Sequence, residues 1–362
     1  MPRLEHEREL LFHLLKEKVS TIHHGVNYNR FESLLRRHKI FPASEGLLPF
    51  LPDQQSTLFK QRLKEWTARS LGYLNELKSI KGLFENSQIK VYYLKGPVLS
   101  VLLYGTAHSR YYTDLDILLH PDNVINAVEL LIKEGYILIS PGKNLSKNEW
   151  KEYFLYNNDV VLLNSEKNVT IEIHLGIYVE QLLDKEKEDL LLSDSTEVMI
   201  QGQKFTTLAT ENNFLYLCFH GAKHMFFRLC WVRDIAAFLD TIPMDTKKVL
   251  SLARNLELEK SLSLALQMAR YYCDSQLPPV FDDFVKKHNY PRLVKLAHAI
   301  ISGPGELVYE NFRKFRKVEN QLEGINKVRY RDLFNQVLFL ILLRKGFSRQ
   351  LRFVLYQFRK RM

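Results

Sequence analysis

Apolar residues recur every three or four positions in the first part of the chain, the spacing of one face of an α-helix. FESLLRRHKI (31–40) and LFKQRLKEWTARSLGYLNELKSIKGLFE (58–85) show this spacing. Between them, PASEGLLPFLP (42–52) contains three prolines and a glycine, which interrupt the helical pattern. Residues 1–88 are therefore predicted to form an N-terminal helical region.

Short β-branched and aromatic runs begin near residue 89 and predict strands. The predicted strands are IKVYYL (89–94), LDILL (115–119), DVVLLN (159–164) and VTIEIHL (169–175). The loop SEKN between the last two predicts a hairpin. Gly96-Pro97 is expected to end the first strand and to begin a helix that stops at Gly105. DNVINAVELLIKEGY (122–136) predicts a second, amphipathic helix.

Helical spacing returns at ENNFLYLCFHGAKH (211–224) and continues through LEKSLSLALQMARYYCDS (258–275). The predicted fold class is therefore α+β. A small mixed β-sheet core (89–210) is flanked by the N-terminal helical region (1–88) and by a C-terminal helical domain with a basic tail (211–362).

The composition favours a reduced, cytoplasmic protein. The longest apolar run, VLFLILL (337–343), is far shorter than the roughly 20 residues of a membrane-spanning helix. The charged start, MPRLEHEREL, is not expected to act as a signal peptide. The three cysteines, Cys218, Cys230 and Cys273, lack metal-site spacing and predict no disulfide framework.

The positive charge is concentrated at the C-terminal end. The chain has a net charge of +10, but residues 311–362 alone hold fourteen Lys/Arg and three Asp/Glu. Three interpretations of RKGFSRQLRFVLYQFRKRM (344–362) stay open. The segment binds an anionic partner such as nucleic acid, lies on an acidic membrane surface, or is the charged face of a packed terminal helix.

Three acidic residues interrupt otherwise apolar strands. Asp114 and Asp116 are two residues apart and are expected to face one side, with Leu115 and Ile117 facing the core. Glu172 is a lone acid in VTIEIHL, and an antiparallel, hairpin-linked strand beside LDILL is expected to place it next to the aspartates. Clustered carboxylates suit a two-metal site for phosphoryl or nucleotidyl transfer. The alternative is that they only flank an exposed strand.

The motifs together resemble the uncharacterised nucleotidyltransferase family of the polymerase-β-like superfamily, from about Phe31 to Leu239. Along the predicted sheet core, the motifs are Lys95-Gly96, Arg110, Asp114-x-Asp116 and Glu172-x-His174. The helical motifs are His220-Gly221-x-x-His224 and Trp231-x-x-Asp234.

The resemblance implies a nucleotidyltransferase core in which Asp114, Asp116 and Glu172 bind magnesium, with two ions expected. Asp114 and Asp116 would bridge both ions, and Glu172 would bind one ion and serve as general base. The substrate would be a nucleoside triphosphate, with ATP expected. Its nucleoside monophosphate would pass to an acceptor such as a small molecule, a modified peptide or a protein hydroxyl or phosphate, with release of pyrophosphate.

One departure from the superfamily concerns the phosphate loop. The usual Gly-Ser is Gly96-Pro97 here, and proline has no backbone N–H to donate. Lys95, Gly96 and Arg110 are therefore the expected nucleotide-binding residues, with Lys95 and Arg110 supplying charge. The alternative for Arg110 is an ion pair with Asp114 or Asp116.

The histidines of the motifs have two interpretations each. His220 and His224 share a helix face and lack an obvious third metal ligand, so we favour packing or an acceptor pocket. We favour a structural role for His174, with contact to the acceptor as the alternative. For Trp231 and Asp234 we favour helix packing and a paired surface charge.

Two other functions compete with an active transferase. Pro97 favours a degenerate nucleotidyltransferase fold that binds or regulates, and the basic end favours a nucleic-acid binder. For an active enzyme, Asp116→Ala is expected to abolish transfer and to leave stability unchanged or higher, because it removes one of several like charges.

Overall fold

The computed structural model describes residues 5–22, 24–157, 159–176 and 194–303, together with 338–339 and 342–343. The basic segment 344–362 and its predicted roles lie outside these residues. The chain divides into two compact units, one of Met1–Leu35 and Lys39–Asn213, the other of Arg36–His38 and Phe214–Met362. The predicted domain boundaries at 88/89 and 210/211 stay predictions.

The first unit begins with helices and continues into strands. Its helices are α1 (Glu5–Leu15), α2 (Tyr28–Arg37, shared at its end with the second unit), a 3₁₀ helix (Phe41–Phe50), α3 (Asp53–Asn86), α4 (Gly96–Tyr104), α5 (Pro121–Lys133) and α6 (Lys147–Tyr156). Its strands are β1 (Val91–Tyr93), β2 (Leu115–Leu119), β3 (Ile137–Ser140), β4 (Asp159–Asn164), β5 (Val169–His174), β6 (Ser195–Ile200) and β7 (Gln203–Leu208). The mixture of helices with a small mixed sheet confirms the predicted α+β class.

Five strands form one sheet in the order β1-β2-β5-β4-β3. The predicted hairpin is present, because β4 and β5 pair in antiparallel register. The predicted antiparallel pairing of β5 with β2 is wrong, since these two strands run parallel. The chain makes two helices and two strands between β2 and β5, and this long crossover allows them to run in the same direction.

The 3₁₀ helix, β3, α6, β6 and β7 of the first unit were not predicted as strands or helices. The edge strand β3 is short and exposes Ile137 and Ile139, so it lacks a continuous buried face. Helix α6 begins with a capping box at Ser146 and Glu149. The β6–β7 hairpin forms its own two-stranded sheet, and its Phe205 belongs to the main core.

Helix α3 supports the loop that leads into β2. Its buried residues, including Trp66 and Tyr73, join the core beneath the sheet. The indole Nε1 of Trp66 donates to the carbonyl oxygen of His108 at 2.7 Å, and the Tyr73 hydroxyl donates to that of Thr113 at 3.0 Å. The backbone on either side of Arg110 is therefore held by α3.

The second unit is helical in its described part. Its helices are α7 (Thr210–Lys223, shared at its start with the first unit), α8 (Leu229–Thr241), α9 (Thr246–Asn255), α10 (Glu259–Cys273), α11 (Pro279–Lys287) and α12 (Pro291–Ser302). Phe214, Phe238 and Phe281 pack together at its centre, with ring centroids 5.4 and 5.9 Å from that of Phe214. Among the described residues of the whole chain, none of the helices is both long and apolar enough to cross a membrane.

Candidate functional site

Two carboxylates lie side by side on neighbouring parallel strands of the first unit. Asp116 in β2 and Glu172 in β5 are register partners across the strand pair. Leu115 and Ile117 are buried in the core, as the sequence predicted, and so are the isoleucines on either side of Glu172. Because alternate residues of a strand face opposite sides, the apolar core fixes both carboxylates on the other face.

A lysine and a histidine both contact Asp116. Lys95 Nζ lies 2.6 Å from Asp116 Oδ1, and His174 Nε2 lies 3.0 Å from the same oxygen. His174 Nε2 is also 3.8 Å from Glu172 Oε1. We refer to Lys95, Asp116, Glu172 and His174 as the Asp116 cluster. Ligand atoms of its two acids and its histidine all lie within 4.8 Å of one another.

Burial and neighbouring charges shift the pKa values of the cluster in different directions. Burial alone would raise the pKa of Asp116, but Lys95 and His174 outweigh it and hold that pKa well below its ordinary value. Burial raises the pKa of Glu172, and the charge of Asp116 adds to the rise. Burial would lower the pKa of His174, but Glu172 and Asp116 outweigh it and raise that pKa. Of the two acids, Asp116 is therefore the one whose negative charge is better stabilised.

Lys95 reaches the cluster from the turn between β1 and α4. Gly96, which follows it, has a φ of +64°, a conformation that favours glycine. A Cβ at Gly96 would lie 3.6 Å from the backbone oxygen of Asp114, so this turn packs closely on the residue that leads into β2. Pro97 lies in the first turn of α4, where a missing N–H is tolerated.

Ser100 ties α4 to the loop that holds Arg110. Its buried Oγ donates to the carbonyl oxygen of Thr106 at 2.7 Å and accepts the backbone N–H of Arg110 at 3.1 Å. Ser100 was not among the residues predicted from the sequence to have a role. The available signal was a lone hydroxyl inside the apolar helical run VLSVLL (98–103).

We expect Ser100→Ala to lower the free energy of unfolding by about 1–3 kcal/mol, because it removes both hydrogen bonds that the buried hydroxyl of Ser100 makes with the α4–β2 loop. Urea unfolding measures the effect. Ser79→Ala is the matched control, since Ser79 is exposed on α3 and its substitution should change stability by less than about 0.5 kcal/mol. Equal effects of the two substitutions would contradict the role of Ser100.

Asp114 lies just before β2 and not within the strand. Its Oδ2 is 3.4 Å from the hydroxyl of Thr113, and its side chain is half-buried. The group of ligand atoms within 4.8 Å comprises Asp116, Glu172 and His174, without Asp114. The structure thus brings Asp116 and Glu172 together, and the metal-binding role of Asp114 stays a prediction.

The donor atoms of the cluster fit a divalent cation. Magnesium prefers oxygen ligands and commonly uses one or two carboxylates together with substrate phosphates. Asp116 and Glu172 supply such oxygens side by side. The ammonium of Lys95 now lies against Asp116 Oδ1, so a cation bound to this oxygen would have to replace it.

The two histidines of the helical motif lie in the second unit and surround Trp231. The rings of His220 and His224 are 4.7 Å apart, and His224 stacks on Trp231 with centroids 5.2 Å apart. These contacts agree with the predicted packing role of Trp231. Asp234 is only 1% exposed, so the prediction that it is a surface charge is wrong. The acceptor-pocket role of His174, His220 and His224 stays a prediction.

Comparison with known proteins gives one family and one solved structure. A structure described as an antigenic nucleotidyltransferase-like protein from Paracoccidioides brasiliensis is 16% identical and covers 56% of this chain and 92% of its own, with a TM-score of 0.31. That likeness is too weak to support an argument. The comparison with curated proteins gave no match. Residues 24–274 match the family described as "Uncharacterised nucleotidyltransferase", a span that includes the whole Asp116 cluster and both helical motifs. The chain therefore belongs to this nucleotidyltransferase family.

Proposed function

We propose that the protein is a magnesium-dependent nucleotidyltransferase that transfers a nucleoside monophosphate from a nucleoside triphosphate, with ATP expected, to an acceptor. The observation that supports this most directly is the pairing of Asp116 with Glu172 on adjacent parallel strands, beside the Lys95-Gly96 turn that begins α4. Family membership supports the same class of reaction.

Residues of the first unit have separate roles in the proposed reaction. Asp116 and Glu172, with Asp114 from the loop, would hold magnesium. When bound, the metal would neutralise phosphate charge and lower the pKa of the acceptor hydroxyl. Lys95, Gly96 and Arg110 would bind the triphosphate at the start of α4, where backbone N–H groups favour anions. His174 would orient Asp116 through its 3.0 Å contact.

The proposed reaction breaks one phosphoanhydride bond. The acceptor oxygen forms a bond to the α-phosphorus, the bond from that phosphorus to the β-phosphate oxygen breaks, and pyrophosphate leaves with the electron pair. Glu172 is the candidate general base for the acceptor proton, because its carboxylate faces the same side of the sheet as Asp116. The acceptor class is a hydroxyl or phosphate of a small molecule, peptide or protein.

Two observations favour a second function, that of a catalytically degenerate binding protein. The ammonium of Lys95 lies against the carboxylate that would bind metal, and Pro97 replaces a backbone donor of the superfamily's phosphate loop. A degenerate protein would keep this ion pair permanently and would bind a nucleotide or partner without turnover. Nucleic-acid binding through residues 344–362 stays a prediction about a segment outside the described residues.

The position of the label in the nucleotide tests the proposal. The protein is incubated with magnesium, a lysate of its host cell and nucleoside triphosphates labelled at the α- or the γ-phosphate. We expect an acceptor to gain the α-label and not the γ-label, and a chelator to abolish the signal. Transfer of the γ-label alone would show phosphoryl transfer and contradict the proposal. Nucleotide binding without any transfer to lysate components would favour the degenerate alternative.

A further inference from the structure

Two side chains already neutralise the carboxylate that the proposed function assigns to a metal. Lys95 and His174 both approach the same atom, Asp116 Oδ1, at 2.6 and 3.0 Å. The side chains of Lys95 and Asp116 are only 9% and 4% exposed, so their attraction is weakly screened by solvent. In this state Asp116 has the charge partner that a buried carboxylate requires.

A divalent cation and the Lys95 ammonium compete for this position. A magnesium ion binds a carboxylate oxygen at about 2.0–2.1 Å. The Lys95 Nζ is 2.6 Å from Oδ1, and two positive groups on one buried oxygen would repel strongly. Metal binding at Asp116 Oδ1 therefore requires the ammonium to move away.

Lys95 is the member of the pair that can move. It has a flexible four-carbon stem, whereas His174 is fixed on β5 two residues from Glu172. Lys95 also immediately precedes Gly96, the first residue of α4, so its ammonium can swing towards an anion at that helix start. The triphosphate of the proposed function is such an anion.

We propose that Lys95 is an exchangeable counter-ion: it neutralises Asp116 in the metal-free protein and transfers to the triphosphate when metal and nucleotide bind. This inference rests on the proposed function. Its consequence is coupled binding, because the nucleotide removes the group that competes with the metal. By thermodynamic reciprocity the metal raises nucleotide affinity by the same factor.

Manganese binding without nucleotide tests the exchange, because Mn²⁺ uses the same oxygen ligands and is detected by electron paramagnetic resonance. We expect Lys95→Met to bind Mn²⁺ about tenfold or more tightly than the unaltered protein, within the usual range of coupling between sites. Lys95→Gln keeps a neutral donor next to Asp116 and should show a smaller gain. A non-hydrolysable triphosphate should raise Mn²⁺ affinity less in Lys95→Met than in the unaltered protein.

Lys167→Met is the matched control, since Lys167 pairs with Glu76 at 2.9 Å elsewhere in the first unit. It removes the same charge and should leave Mn²⁺ affinity unchanged. An equal gain in this control, or no gain in Lys95→Met, would overturn the inference. If Lys95→Met fails to fold, Lys95→Gln provides the test. An unchanged Mn²⁺ affinity in Lys95→Gln would also overturn the inference.

Asp116→Asn separates failure of this inference from failure of the proposed function. If it abolishes Mn²⁺ binding while the Lys95 substitutions change nothing, the metal site stands and the counter-ion exchange is wrong. If Asp116→Asn binds Mn²⁺ as the unaltered protein does, the metal site itself is wrong, and the inference falls with it.

Discussion

Asp116→Asn should reduce nucleotide transfer more than about 100-fold, whereas Asp122→Asn should leave it unchanged. Removing a residue that only contacts a metal ligand typically lowers metal affinity or activity about 10–100-fold. Asp116 is proposed to be a ligand itself, so its effect should be larger. Asp122 is a matched control, because it is an aspartate of the same unit whose side chain is 87% exposed. Initial rates of α-label transfer at saturating magnesium measure both variants.

The same substitution should also destabilise the metal-free protein. For Asp116→Ala, sequence alone predicted unchanged or higher stability, on the premise that repulsion between clustered like charges dominates. The structure contradicts that premise, because Lys95 and His174 contact Asp116 Oδ1. Removing one partner of a buried ion pair typically costs about 3–5 kcal/mol, and less where a neutral amide still accepts a hydrogen bond.

Thermal unfolding in the presence of a chelator checks this effect. We expect the unaltered protein to have the highest melting temperature, Asp116→Asn a lower one and Asp116→Ala the lowest. A melting temperature above that of the unaltered protein would instead show that repulsion between like charges dominates at this site. Full transfer activity in Asp116→Asn would contradict the proposed function, because that function depends on the pairing of Asp116 with Glu172.

The face on which the carboxylates lie was predictable from sequence, whereas their neighbours were not. Alternation along LDILL and VTIEIH fixes which residues point into the core, since a shift by one residue would turn the acids towards the apolar core. The contact of Lys95 with Asp116 depends on the path of the turn at Gly96 and on how β1 pairs with β2. These are tertiary features that no local spacing specifies.

Strand direction was mispredicted for a related reason. The hairpin loop SEKN fixes β4 and β5 as antiparallel to each other, but the position of that hairpin beside β2 depends on the crossover through α5, β3, α6 and β4. Glu172 reaches Asp116 in either direction, because side-chain alternation is the same in both kinds of sheet. The pairing of the two acids was therefore predictable even though the direction was not.

Gly221→Ala should destabilise the protein, although alanine is ordinarily the better helix residue by about 1 kcal/mol. Gly221 belongs to the His-Gly-x-x-His motif and lies in α7, near its end. A Cβ built at this position would lie 2.8 Å from Cζ and 2.9 Å from Cδ1 of Phe226, and would contact Cε1 more closely still. These separations are too short for carbon atoms, so the ring or the helix would have to shift.

The ring has little room to shift, because the end of α7 folds back on itself. The N–H of Phe226 donates to the carbonyl oxygen of Gly221 at 2.8 Å, and that of Met225 donates to the carbonyl oxygen of Ala222 at 2.8 Å. Met225 has a φ of +57°. This is the Schellman pattern of a helix C-terminus, in which an apolar side chain packs back over the last turn. Here the ring of Phe226 is fully buried and packs on the bare glycine.

Overpacking of a buried contact typically costs about 1–3 kcal/mol, which exceeds the gain in helix propensity. We therefore expect chemical denaturation to show a net loss of stability for Gly221→Ala. Gly72→Ala provides the control of opposite sign, because Gly72 lies within α3 and a Cβ there meets nothing within 4 Å. That substitution should stabilise by up to about 1 kcal/mol.

A double-mutant cycle with Phe226→Leu identifies the cause of the loss, because leucine lacks the ring atoms that the added Cβ would meet. If the Phe226 ring is responsible, Gly221→Ala should cost less in the Phe226→Leu background than in the unaltered protein, which gives a favourable interaction energy between the two substitutions. Additive effects would show that the ring is not the obstacle. In that case the glycine of the motif would need an explanation other than packing, such as the close approach of a ligand to its backbone.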